Sequence, residues 1–155
     1  VTFRKTMYPY LKIGVKTLKI GKNKTMTRIK SQQVAVNKSA EEIYNFISNF
    51  NNFNQLMPSS VQDLETTEDT CSFSLKGMPT IRLKIGDKIP FKHVSMVTDG
   101  GQVEFSLNCS FVADGDKCKA QLFFEAELNM MMKMMVERPL TNFLNILVNR
   151  LKEIN

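Results

Sequence analysis

The chain has 155 residues, 43% hydrophobic and 23% charged, the proportions of one globular domain with its own core and no disulfide scaffold. It has no apolar run of the ~20 residues that a membrane-spanning helix needs. Its net charge of +6 invites a polyanion as partner, yet residues 1–25 carry seven cations and no acid, while residues 26–155 hold 14 basic against 15 acidic side chains, a net charge of −1.

The first segment, 1–25, has Pro9, Gly14 and Gly21, and lacks the apolar core of a secretory signal and the Ser/Arg richness of a mitochondrial presequence. It reads as a basic extension, disordered or not native, to a single domain over 26–155, with Met26 as the expected start. Nucleic-acid contact, if any, rests on this tail. Ile29–Val36 alternates as a strand. Ser39-Ala40-Glu41-Glu42 is a capping box, and Ile43, Phe46, Ile47 and Phe50 follow at helical spacing. Asn51-Asn52 breaks that helix, and Phe53, Leu56 and Met57 mark a second short one, stopped at Pro58.

From Val61 to Leu128 the apolar period becomes two. Six strands are expected: Val61–Thr67, Thr70–Leu75, Thr80–Ile89, Phe91–Thr98, Gln102–Val112 and Lys117–Leu128. Asp114-Gly115 as a two-residue turn pairs Ala113 with Asp116, Phe111 with Cys118, Cys109 with Ala120, Leu107 with Leu122 and Phe105 with Phe124. The last segment, from Asn129, is a long helix whose apolar stripe is Val136, Leu140, Phe143, Leu144, Leu147, Leu151 and Ile154. Pro139 inside it predicts a bend, or a break near Met135.

Strand, two helices, six antiparallel strands and a covering helix make an α+β order that resembles the START-like helix-grip superfamily, which includes the Bet v 1 allergens and polyketide cyclase/dehydrase-like proteins. The likeness covers residues 28–154 and is carried by Val34–Val36, the run from Asn37 to Ile47, the second helix from Asn51 to Pro58, the meander and the last helix. It implies a seven-stranded curved antiparallel sheet wrapped around the C-terminal helix, two short helices between strands 1 and 2, and an apolar cavity between sheet and helix. Members bind lipids, polyketides, quinones, sterols or hormones, and some are enzymes or partners of chaperones and ribosomes. Fold alone does not choose among them.

The residues offer no catalytic set. His93, the single histidine, has the outward parity of its strand with Ser95 and Val97 and reads as exposed. Asp63, Glu65, Glu68 and Asp69 around a turn, and Glu104, Glu125 and Glu127 on the last hairpin, read as solvated acids. Cys71, Cys109 and Cys118 lack metal-site spacing and fall at apolar strand positions, which fits a reducing, cytoplasmic setting with no metal and no cofactor. Gly100-Gly101 joins two strands and lacks phosphate-loop spacing.

Five of the ten methionines fall within Met130–Met135. Flexible thioethers either fill irregular core or face a varied apolar ligand. Met131 and Met135 share one stripe, with Met132 beside them and Met130 and Met134 nearer solvent. Phe73, Leu83, Met96, Phe105, Leu107 and Phe124 are the large inward side chains of the sheet. By resemblance Phe53 and Met57 stand at the cavity mouth. The cavity candidates are thus Phe53, Met57, Phe73, Leu83, Met96, Phe105, Leu107, Phe124, Met131, Met132 and Met135. The first expectation is a binding or transport protein for a small hydrophobic ligand. A cyclase/dehydrase-like enzyme and a protein or RNA interaction module are the alternatives.

Overall fold

The structure, a computed structural model, describes residues 24–100 and 103–154. The readings made of the basic segment therefore lie outside the described residues, except at Lys24 and Thr25. In chain order the elements are β1 (Thr25–Lys30), β2 (Val34–Val36), helix α1 (Ala40–Ile47), a 3-10 helix (Phe50–Gln55), β3 (Gln62–Thr66), β4 (Thr70–Ser74), β5 (Ile81–Ile89), β6 (His93–Thr98), β7 (Phe105–Asp114), β8 (Lys117–Leu128) and helix α2 (Met130–Glu153). This is the expected α+β architecture, a curved antiparallel sheet against a long C-terminal helix. The strands run β1-β8-β7-β6-β5-β4-β3, with β2 also paired to β8.

The sheet has eight strands rather than seven because the segment from Thr25 to Val36 is two strands along one edge of β8. Lys30 pairs with Phe123 but Val34 pairs with Ala120, so three residues on one side face two on the other. This is a β-bulge. Ser31 fills it: its N–H donates to the Leu122 carbonyl at 2.9 Å, and its Oγ accepts from the Leu122 N–H at 3.0 Å. The bulge also frees the Gln32 N–H to reach Asn145 Oδ1 on α2 at 2.8 Å, while the Gln32 side chain donates to Asn149 Oδ1 at 3.2 Å. A polar clamp thus fixes the helix against the sheet edge.

α1 starts where the capping box places it. Ser39 Oγ accepts from the Glu42 N–H at 3.1 Å, and the Ser39 N–H donates to Glu42 Oε1 at 2.9 Å. The second short helix is of the tighter 3-10 kind, with Phe50 and Phe53 in edge-to-face contact at 4.8 Å.

The β7–β8 hairpin keeps the expected faces but not the expected register. Asp114 pairs with Lys117, Phe111 with Ala120, Cys109 with Leu122, Leu107 with Phe124 and Phe105 with Ala126. The turn is therefore Gly115-Asp116 rather than Asp114-Gly115. Gly115 has φ 67°, while Asp116 stays outside the left-handed region. That is the demand of a type II′ turn, with glycine first, not of the type I′ turn that Asp-Gly suggested. A two-residue slip preserves parity, so alternation alone does not separate the two registers.

α2 runs unbroken from Met130 to Glu153 through Pro139. Met135 and Pro139 both lie on its solvent side, where proline, which has no N–H to offer the Met135 carbonyl, is tolerated. Asn129 caps the start, its Oδ1 accepting from the Met132 N–H at 2.8 Å. Leu140, Phe143, Leu144, Leu147, Val148 and Leu151 are buried against the sheet. At about 1.5–3 kcal/mol for each buried side chain, this stripe contributes roughly 9–18 kcal/mol before entropy is charged against it.

Candidate ligand cavity

The buried stripe of α2 does not pack flush along its whole length. Towards the N-terminal end the helix stands over the ends of β5, β6, β7 and β8 and leaves a cavity of about 250 Å³. Its inner wall is Phe73, Leu83, Leu107 and Phe124 from the sheet, with Leu140, Phe143 and Leu144 from α2. Parity explains the sheet side: Ile81 and Leu83 on β5, and Phe105 and Leu107 on β7, are alternate residues of the face turned to the helix. Phe73 and Phe143 approach across the space between sheet and helix, with ring centroids 5.7 Å apart. Phe105 and Phe124 sit 5.0 Å apart on neighbouring strands. The mouth is formed by the turn at Met78, Pro79 and Thr80, by Gly100 and Val103, and by Met132 and Val136 on α2.

The wall is hydrocarbon, aromatic ring and thioether. Among its described lining residues Arg82 is the only ionisable one, and its position on β5 is exposed. Thr80 and Thr98 add hydroxyl-bearing side chains. Such a lining binds by excluding water from apolar surface, and it offers no nucleophile paired with a base.

Six of the sequence candidates, Phe73, Leu83, Phe105, Leu107, Phe124 and Met132, line this cavity. Met131 and Met135 do not: they are 70% and 63% exposed. The phase of the helix is the reason. Met131 precedes Leu140 by nine residues, two and a half turns, so it faces about 180° away from the buried stripe. Met135, five residues before Leu140, is about 140° off. Phe53 and Met57 are buried but do not touch the cavity. The Met57 carbonyl is the acceptor of Arg150 Nη1 at 3.5 Å. Arg150 is eighteen residues along α2 from Met132, about 27 Å. Phe53 and Met57 thus close the far end of the sandwich rather than the mouth. Met96, 1% exposed, is plain core between β5 and β7. Val136, Leu140, Phe143 and Leu144 read in the sequence as core stripe; nothing in their spacing showed that the sheet would curve away from them.

On the opposite face of the sheet lies a wider depression of about 1020 Å³, lined by Ser95, Ser106, Asn108, Ser110, His93, Arg28 and Glu125 among others. His93 points outward as expected, but it is half-buried rather than exposed. It pairs with Ser110 across the strands and sits 3.4 Å from the Ser110 Oγ. Burial holds its imidazole below the ordinary value, opposed by the Asn108 hydrogen bond and by Glu125 and Asp87. Ser95, which shares the outward parity of His93, is 8% exposed, and so is its cross-strand partner Asn108. Arg28 lies 4.4 Å over the Phe123 ring and 3.2 Å from Glu125. Met26, Val97, Phe123 and Met132 also line the depression, so its wall mixes polar and apolar side chains.

All three cysteines are free and buried. Burial pushes the Cys71 thiol up to about 12 and raises Cys109 and Cys118 as well. They are inert core groups rather than reactive thiols. No cluster of metal-binding side chains occurs among the described residues. No helix among them is long and apolar enough to cross a membrane.

No family model and no curated protein sequence matches the chain. Solved structures do. Norcoclaurine synthase from Thalictrum flavum, determined with dopamine and hydroxybenzaldehyde, superposes with a TM-score of 0.65 at 16% identity, over 84% of this chain and 87% of that one. A START superfamily protein from Mycobacterium smegmatis gives 0.59 at 16% identity, over 84% and 99%. KanY protein gives 0.67 at 11% identity, over 83% and 97%. At these identities the likeness establishes the fold: this chain has the START/Bet v 1-like helix-grip architecture.

Proposed function

We propose that the protein binds a small apolar molecule in the cavity between the sheet and the N-terminal half of α2. The observation that carries this reading is the cavity itself, a space of about 250 Å³ walled by four phenylalanines and by leucines, where a core of ordinary packing leaves few voids larger than a water. A dry apolar cavity of about 150 Å³ accommodates a benzene ring. The larger space here suits a one- or two-ring compound or a short branched chain. It is below the usual range of about 300–1,000 Å³ for drug-sized ligands, so a whole sterol or diacyl lipid is a poor match without opening of the mouth. The solved structure of norcoclaurine synthase with dopamine and hydroxybenzaldehyde supports ligands of this size class in this fold. The scarcity of ionisable groups in the wall favours binding over catalysis.

Ligand-observed NMR with naphthalene and indole as probes, on protein stripped of co-purified compounds, tests the reading. Saturable binding that Leu107→Trp abolishes supports it. Failure of both probes, together with release of no small compound from freshly purified protein in native mass spectrometry, contradicts it.

A further inference from the structure

The apolar cavity and the depression on the other face of the sheet meet. Thr98, Val103, Phe105 and Met132 line both spaces. The topology explains why. Val97 and Ser106 are the last pair between β6 and β7, and Thr98 ends β6 while Phe105 begins β7. Past that pair the β6–β7 ladder no longer divides the two spaces. Phe105 and Leu107 share the cavity face, and Ser106 between them turns to the other side, opposite Val97 and Glu125. A body seated in the cavity thus ends at the rim of a polar surface.

Around that rim the depression presents Lys84, the partner of Val97 on β5, together with Ser106 and Glu104. Lys84 and Glu104 are exposed, and neither forms an ion pair among the described residues. An ammonium only donates hydrogen bonds, a carboxylate only accepts them, and a hydroxyl does both. Asn108 Nδ2 donates to Ser106 Oγ at 3.0 Å, which leaves the Ser106 proton to donate elsewhere. An acidic head at this rim meets the like charge of Glu104, and a cationic head meets that of Lys84. An uncharged head bearing several hydroxyls satisfies all three side chains, and Ser95, Ser110 and Asn108 continue the same chemistry along the depression.

We propose that the ligand is an amphiphile, with its apolar body in the cavity and an uncharged, hydroxyl-bearing head in the outer depression at Lys84, Glu104 and Ser106. The head rests on the cavity reading, since only a seated body holds it at this rim. The depression, of about 1020 Å³, has room for a group the size of a sugar.

A series with one body and different heads tests the proposal: naphthalene, naphthyl glucoside, naphthylacetate and naphthylmethylammonium, titrated at low salt by ligand-observed NMR. The wild type binds the glucoside no more weakly than naphthalene, and about fivefold more tightly than either charged compound. Glu104→Lys, at an exposed position, weakens the glucoside and strengthens naphthylacetate about fivefold. Circular dichroism establishes that the variant is folded. The proposal is overturned if the glucoside binds more weakly than naphthalene, if a charged compound matches it, or if folded Glu104→Lys leaves the order of heads unchanged. Failure of the glucoside beside saturable naphthalene binding removes the head and leaves the cavity reading standing. Failure of naphthalene and glucoside alike removes both.

Discussion

Replacing Val136 by Phe tells a cavity from a filled core by the sign of its effect. Val136 is half-buried on α2 and lines the mouth. At about 24 cal/mol for each Å³ of void, the part of this space that a new side chain fills sets the gain. Phe adds four carbons to Val, roughly 50 Å³, and so restores about 1 kcal/mol. Val and Phe have similar helix propensities, so the backbone contributes little to the difference. Val148, 0% exposed on the same helix, is the matched control. There the same change overpacks a full core and costs about 1–3 kcal/mol. Urea unfolding followed by far-UV circular dichroism, on stripped protein, measures both variants, and in thermal melts the Val136 gain reads as about 2–4 °C. If Val136→Phe loses stability to the same extent as Val148→Phe, the space is not open in solution.

Thr27 is buried on the inner sheet face opposite Ala126, and its Oγ1 has no hydrogen-bond partner among the described residues. The isosteric Thr27→Val removes that penalty and is expected to stabilise by about 1 kcal/mol in the same unfolding assay; a loss would mean that the hydroxyl is satisfied in solution. Ser39→Ala removes the acceptor of the α1 cap and costs about 1 kcal/mol, read from the urea midpoint. Glu42 titrates below its usual 4.5 chiefly through the Ser39 main-chain N–H, so carboxyl NMR should find it still lowered in Ser39→Ala. The stability linked to Glu42 is present above about pH 4.5 and is lost as pH falls through the lower folded value. For His93 the unfolded chain takes the proton first. Stability is full above about pH 6.5 and declines as pH falls through the lower folded value, and His93→Gln flattens that slope in pH-dependent melts.

Local chemistry carried most of the architecture. The Ser39–Glu42 box starts α1 where spacing placed it, and the strand parities of Val94, Met96, Leu107 and Phe124 send those side chains inward as alternation required. What escaped the sequence depends on phase or on distant partners. The register of the last hairpin turns on whether Gly115 stands first or second in its turn, and both choices satisfy the same alternation. The break at Ser31 is fixed by Leu122 and Asn145, far along the chain. The methionine run misled because Met131 and Met135 are in phase with each other but not with Leu140. Only Met132 and Val136, eight and four residues before Leu140, continue the buried stripe into the cavity. The cavity's position at the Met132 end, rather than beside Phe53 and Met57, follows from sheet curvature, which no short segment encodes.

The methionines provide the most direct test. With ¹³C-methyl methionine, NMR observes Met78 and Met132 at the cavity wall, Met57 and Met96 in the packed core, and Met130, Met131, Met134 and Met135 in solvent. Titration of stripped protein with naphthalene should shift the Met132 and Met78 methyls saturably, leave Met57 and Met96 in place, and lose its effect in Val136→Phe. Shifts confined to the exposed methionines, or none that saturate, would contradict a ligand site between the sheet and the helix.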